Sequence, residues 1–137
     1  LGRYSRGISV AKALAQGLGK RIKSALEKAI ELQPRHADAH IALGAYHAEV
    51  IDKVGVLIGG MTYGARKAIG LQMYRKGLAL NPDSAMARLE YACGLVMLEG
   101  DPSDLEATRQ YQLAAAVEPF DAKERLDQDL ARAALAD

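Results

Sequence analysis

A chain of 137 residues and 14.7 kDa is the size of one domain, and with half its residues apolar and 26% charged it can bury a core without a metal or a disulfide. Lys and Arg number 18 against 17 Asp and Glu, so a net charge of +1 gives no whole-chain reason to expect nucleic acid or an anionic membrane as partner. The lone cysteine, Cys93, excludes an intrachain disulfide framework and a paired-cysteine metal site.

Helical spacing dominates from end to end. A first helix is expected near residues 4–16, closed by Gly17 and Gly19 as a C-cap and a tight turn. Ile22, Ala25, Leu26, Ala29 and Ile30 then form an apolar stripe at steps of three and four, predicting a helix over 20–33. Further helices are expected over 37–53 and 64–80, the latter striped by Leu71, Tyr74 and Leu78. Asn81-Pro82-Asp83-Ser84 closes that helix and opens another over 84–98. Asp101-Pro102 reads as the start of a helix over 103–117, with Asp as N-cap and Pro in the first turn. Asp121 and Glu124 form a capping box before a last helix over 121–136, striped by Leu126, Leu130 and Ala133. No period-two alternation longer than four residues argues for a strand.

Charge is uneven along the chain. Residues 1–35 carry eight Lys and Arg against two Glu, +6; residues 36–98 carry six against five, +1; residues 99–137 carry four against ten, −6. No apolar run is long enough to span a bilayer, the longest being Val54 to Met61. The chain begins with Leu1 rather than Met and is expected to be part of a longer one, so its compartment, cytoplasmic or periplasmic, stays open.

Three prolines end similar phrases: Ala29-Ile30-Glu31-Leu32-Gln33-Pro34, Gly77-Leu78-Ala79-Leu80-Asn81-Pro82 and Ala114-Ala115-Ala116-Val117-Glu118-Pro119. Such internal repetition is the signature of stacked units. The phrases resemble the end of a tetratricopeptide repeat, a pair of antiparallel helices. That family's opening pattern of an aromatic, Leu-Gly and a second aromatic falls on His40, Leu43-Gly44 and His47, with histidine at both aromatic places. Its small residue followed four places on by an aromatic falls on Gly70 and Tyr74, and on Ala107 and Tyr111. The next small place holds Ala29, Gly77 and Ala114. The third unit has Tyr91-Ala92 in place of Leu-Gly, and the first departs most, with Ser9-Val10 there and Ile22 where the small residue belongs.

The resemblance implies an all-α, right-handed helical-repeat solenoid over 1–137. Its units would be about 3–36, 37–84 with an insertion near 53–66, and 85–121, followed by a capping helix over 121–136. Pro34 to Pro82 is 48 residues and Pro82 to Pro119 is 37, so the surplus lies in the insertion, Val54 to Gly64. Insertions in repeat proteins fall in loops and often carry function. This one is apolar, and eight mostly apolar residues, Val54–Met61, are costly to leave in water at ~25 cal/mol per Å², so burial is expected.

Each candidate for chemistry also has a structural reading. His36, His40 and His47 recur at helical spacing, which suits metal chelation on one face. The alternative places His40 and His47 in the large-residue positions of a repeat core, with His36 capping the helix, and this reading is preferred, with no metal site expected. Gly17-Leu18-Gly19-Lys20 and Gly55…Gly59-Gly60 fit no phosphate-binding loop, since neither follows a strand. Cys93 has no histidine near it in sequence, and no catalytic residue is assigned.

By the resemblance, the first helix of each pair lines a concave groove. None of its fifteen positions here is Lys, Arg or Asn, which argues against the carboxylate-gripping version of the family. The groove candidates are Ile41, Ala45, Ala48, Glu49, Met86, Leu89, Cys93, Val96 and Met97. The expected function is a non-enzymatic scaffold or adaptor, without cofactor, that binds a protein segment by apolar contact. Head-to-tail contact between copies is a further expectation from the charge gradient. An alternative follows from a likeness of residues 39–80 to helical periplasmic lipoproteins associated with transporters that use substrate-binding proteins. It makes the chain a binder of apolar small molecules.

Overall fold

The computed structural model describes residues 17–101, 104–116 and 129–135. Their regular structure is helical, with no strand among them. The elements are α1 (Gly19–Leu32), α2 (Ala37–Tyr63), α3 (Lys67–Leu80), α4 (Ala85–Glu99) and α5 (Leu105–Ala116), with residues 129–135 helical as well. The expected helix over 4–16, the capping box at Asp121 and most of the helix over 121–136 lie outside the described residues.

The punctuation read from the sequence acts largely as expected. α1 and α3 stop immediately before Pro34 and Pro82, where the residue preceding proline avoids helical angles. The N–H groups of Gln33 and Asn81 still close last turns onto Ala29 O and Gly77 O at 2.9 and 3.0 Å. Ser84 caps α4, its Oγ accepting from the N–H of Ala87 at 3.1 Å. At the other end Gly100 adopts φ +70° and donates to Val96 O at 2.8 Å. One cap differs. Asp104, not Asp101, caps α5, its carboxylate accepting from the N–H of Ala107 at 2.9 Å. The helix begins later than Asp101-Pro102 suggested.

α2 is two helical segments joined at Gly55, whose φ of 87° and ψ of 169° lie outside helical space. The chain doubles back there. A Cβ placed on Gly59 would lie 3.5 and 3.6 Å from the side chains of Ile51 and Val50, and Tyr46 Oη donates to Tyr63 O at 3.0 Å. In one straight helix, residues 46 and 63 would stand about 25 Å apart. The segment 56–63 is therefore a short arm lying back along residues 46–51. Gly64, at φ +66°, ends it.

α3 then runs antiparallel to residues 37–54. Gly70 meets His47, Tyr74 meets Gly44, and Gly77 meets Ile41 and the backbone of Ala37. A Cβ on Gly77 would lie 2.5 Å from Ile41, and one on Gly94 2.5 Å from the Tyr74 ring, so only glycine permits these approaches. The Tyr74 ring thus wedges between α2 and α4 and also stacks tilted on Tyr91, centroids 5.4 Å apart. The main core gathers Ile41, Ala45, Ala48, Tyr74, Leu78, Tyr91 and Leu95. A second cluster, with Leu43, Tyr46, Val50 and Ile51, takes in Leu26 and Ile30 of α1. Among α1 to α5, contacts are serial: α1 meets α2, α5 meets α4, and α2, α3 and α4 pack together between them, while residues 129–135 lie against α5, Arg132 donating to Ala115 O at 3.1 Å.

Candidate functional site

The histidines resolve into structural roles. His36 is the N-cap of α2, its Nδ1 accepting from the N–H of Ala39 at 3.0 Å. His40 is buried and its Nδ1–H donates to His36 O at 2.9 Å. His47 is buried between α2 and α3. Its Nδ1 accepts from the N–H of Arg66 at 2.9 Å, so the proton of the neutral ring sits on Nε2. That Nε2 reaches no partner among the described residues. Burial, then the positive charge of Lys23, lowers the His47 pKa from 6.5 to about 4, against a smaller opposing pull from Glu27. A neutral imidazole wedged against Tyr46, edge to face at 5.6 Å, pins the loop that returns the arm to α3. Burial also raises the Tyr46 phenol above its usual value, with Tyr63 and Glu27 adding to the rise. Among the described residues no three His, Cys, Asp or Glu side chains come close enough to share a metal ion.

The nine groove candidates fall into two groups. Ile41, Ala45, Ala48 and Glu49 on α2 are buried. Ile41, Ala45 and Ala48 belong to the main core, where Ile41 fills the notch left by Gly77. The α4 candidates are only half-buried. Met86, Leu89, Cys93, Val96 and Met97 follow one another at steps of three and four, apart from the adjacent last pair, and so share a helix face. Leu89 packs beside Ala85, Ala114 and Ala131, Val96 and Met97 lie against the main core, and Cys93 Sγ stands 3.6 Å from Tyr111 Oη. Flanking polar contacts fix α4 in place. Arg88 donates to Gln110 Oε1 at 2.9 Å and to Pro82 O at 2.8 Å, and Lys67 pairs with Glu99 at 2.9 Å across α3 and α4.

The insertion departs most from expectation. The composition of Val54–Met61 predicts burial, yet Val56, Leu57, Ile58 and Met61 are 68, 73, 53 and 80% exposed. The reversal at Gly55 is the physical reason. A short helix laid along another buries one face, and here that face holds Gly59 and part of Tyr63. Its large apolar side chains point outward. The stretch from Val54 to Ala65 carries no charge, and it is bounded by Lys53 and Arg66. That gap is the signal in the sequence for this surface. No helix among the described residues is long and apolar enough to cross a membrane. Compared with protein-family models and with curated proteins, the chain finds no match.

Proposed function

We propose that the chain is a non-enzymatic interaction module, a tetratricopeptide-like helical solenoid that holds a partner's apolar segment against α4. The observation that carries this reading is the serial packing of the helices through matched glycines and large side chains. Gly44, Gly70, Gly77 and Gly94 are each met by a ring or a branched side chain of a neighbouring helix. Helices placed in sequence order, each touching its neighbours, leave an extended face suited to a peptide. On that face, Met86, Leu89, Cys93 and Met97 present half-buried, deformable apolar surface. The buried state of Ile41, Ala45 and Ala48 moves the reading from the whole first-helix face to its α4 part.

The test is selection of displayed peptides on the folded chain, followed by affinity measurement. Peptides rich in Leu, Phe and Met are expected, and Leu89→Asp should weaken them by about tenfold or more while helicity stays near wild type. Met86→Asp, nearer the helix end, serves as a second variant if Leu89→Asp unfolds. Peptides bound equally well by folded Met86→Asp and wild type place the partner elsewhere.

A further inference from the structure

The arm is the most exposed apolar feature among the described residues, and it is separate from the α4 face. Val56, Leu57, Ile58 and Met61 are each more than half exposed and sit on the outward side of a helix about 12 Å long. Single exposed leucines are ordinary, but four large apolar side chains side by side mark a contact surface. Two observations say what covers it. The first is composition. The exposed side chains are aliphatic or thioether, on a stretch with no charge between Lys53 and Arg66. The second is charge. Lys53 precedes the arm, Arg66 and Lys67 follow it, and the Lys23 side chain lies against Gly64 at its end. Lys20 stands one turn before Lys23 on the same face of α1. Asp52, Glu27 and Glu99 pair with Lys53, Lys23 and Lys67, so five cations face three anions and the rim is +2. The whole-chain charge of +1 conceals this.

We propose that the arm docks on an anionic lipid surface, its aliphatic face entering the headgroup boundary and its basic rim resting on phosphates. Shallow insertion of one apolar helix face beside cations is the way interfacial helices hold membranes. A second copy of the chain is disfavoured as occupant, because pairing two arms would bring two positive rims together. The Gly55 reversal serves this role by presenting the arm on the outside of residues 46–51 while His47 and Tyr46 hold its far end.

Flotation of the full chain with phosphatidylcholine vesicles, with and without phosphatidylglycerol, tests this. Binding to the anionic vesicles is expected, falling with salt. It should drop by about tenfold or more in the double variant Leu57→Asp, Ile58→Asp, and about fivefold in Arg66→Gln. Melting curves and helicity identify any misfolded variant, in which case Met61→Glu replaces it. No flotation with anionic vesicles at low salt overturns the proposal, as does equal flotation of wild type and the folded double variant. Equal binding to neutral vesicles refutes the role of the rim. A dimer in sedimentation that the double variant dissolves, without flotation, makes a second copy the occupant instead.

Discussion

A histidine kept neutral and buried ties stability to pH. His47 has its pKa lowered to about 4 from the 6.5 of the unfolded chain, chiefly by burial. Between those values the unfolded state binds the proton and the folded state does not. The contribution is therefore complete above pH 6.5, is lost progressively below it, and is gone near pH 4. A shift of this size corresponds to about 3 kcal/mol. Protonation also turns Nδ1 into a donor facing the Arg66 N–H, which breaks the bond that pins the end of the arm. His47→Asn keeps an acceptor near Nδ1 and removes the titration. Urea unfolding at pH 7.5 and pH 4.5 should show wild type losing on the order of 2–3 kcal/mol more than this variant, after carboxylate effects common to both cancel. Equal losses would show that His47 does not govern acid stability. His47 is buried, as the structural reading of the histidines expected. Its hydrogen bond was not legible in the sequence, because residue 66 lies nineteen positions away and reaches it only through the reversal at Gly55.

Among the elements, those bounded by local chemistry were the most legible. The ends of α1 and α3 and the start of α4 follow from Pro34, Pro82 and Ser84, each acting on its own turn. The start of α5 is harder to read because two aspartates compete for it, and the one whose carboxylate meets the Ala107 N–H is Asp104. The arm differs from its reading for another reason. Its apolar composition implies burial, but burial depends on which face the backbone turns inward, and a single glycine sets that. Gly55 has φ +87°, and a Cβ there would have no heavy atom within 4 Å, so a substitution meets backbone strain and no clash. Gly55→Ala should cost about 1–3 kcal/mol. Gly60→Ala is the contrast. Its Cβ would lie 3.6 Å from Ala65 O, an ordinary contact in a helix, so it should be neutral or stabilise by up to about 1 kcal/mol. Denaturant unfolding of the two variants decides the matter. Gly55→Ala as stable as wild type would mean that the segment runs straight on without reversing. The groove candidates show the same limit. Ile41, Ala45 and Ala48 were expected to line a groove, but their spacing does not say how deeply α3 and α4 enclose that part of α2.

For the molecule as a whole, the charge gradient acquires a direction from the contact order. Among the elements α1 to α5, α1 touches α2 and α5 touches α4, so the described residues 17–35, with five Lys and Arg against two Glu, and the described residues from 99 onward, with two Arg against five Asp and Glu, flank a middle of near-neutral charge. A +3 stretch at one side of this middle and a −3 stretch at the other, counted over the described residues, make a dipole whose favourable self-contact is head to tail. Such contact does not close on itself unless the rotation between copies allows it, so association should grow with concentration rather than stop at a dimer. It also runs through exposed side chains, and exposed pairs are individually weak. Screening should therefore dissolve it. At 0.15 M salt the Debye length is about 8 Å, and at 1 M about 3 Å, shorter than the spacing of most surface pairs. Sedimentation velocity at about 20 mM and about 500 mM salt, across a protein concentration series, should show a rising average mass only at low salt. Charge reversal in the acidic third, Glu106→Lys with Asp129→Lys, should lower that mass at low salt while leaving the arm untouched. This separates end-to-end association from any pairing through Leu57 and Ile58, which salt would strengthen or leave unchanged. A monomer at every concentration and both salts removes head-to-tail assembly and leaves the two charged ends as surfaces for other partners.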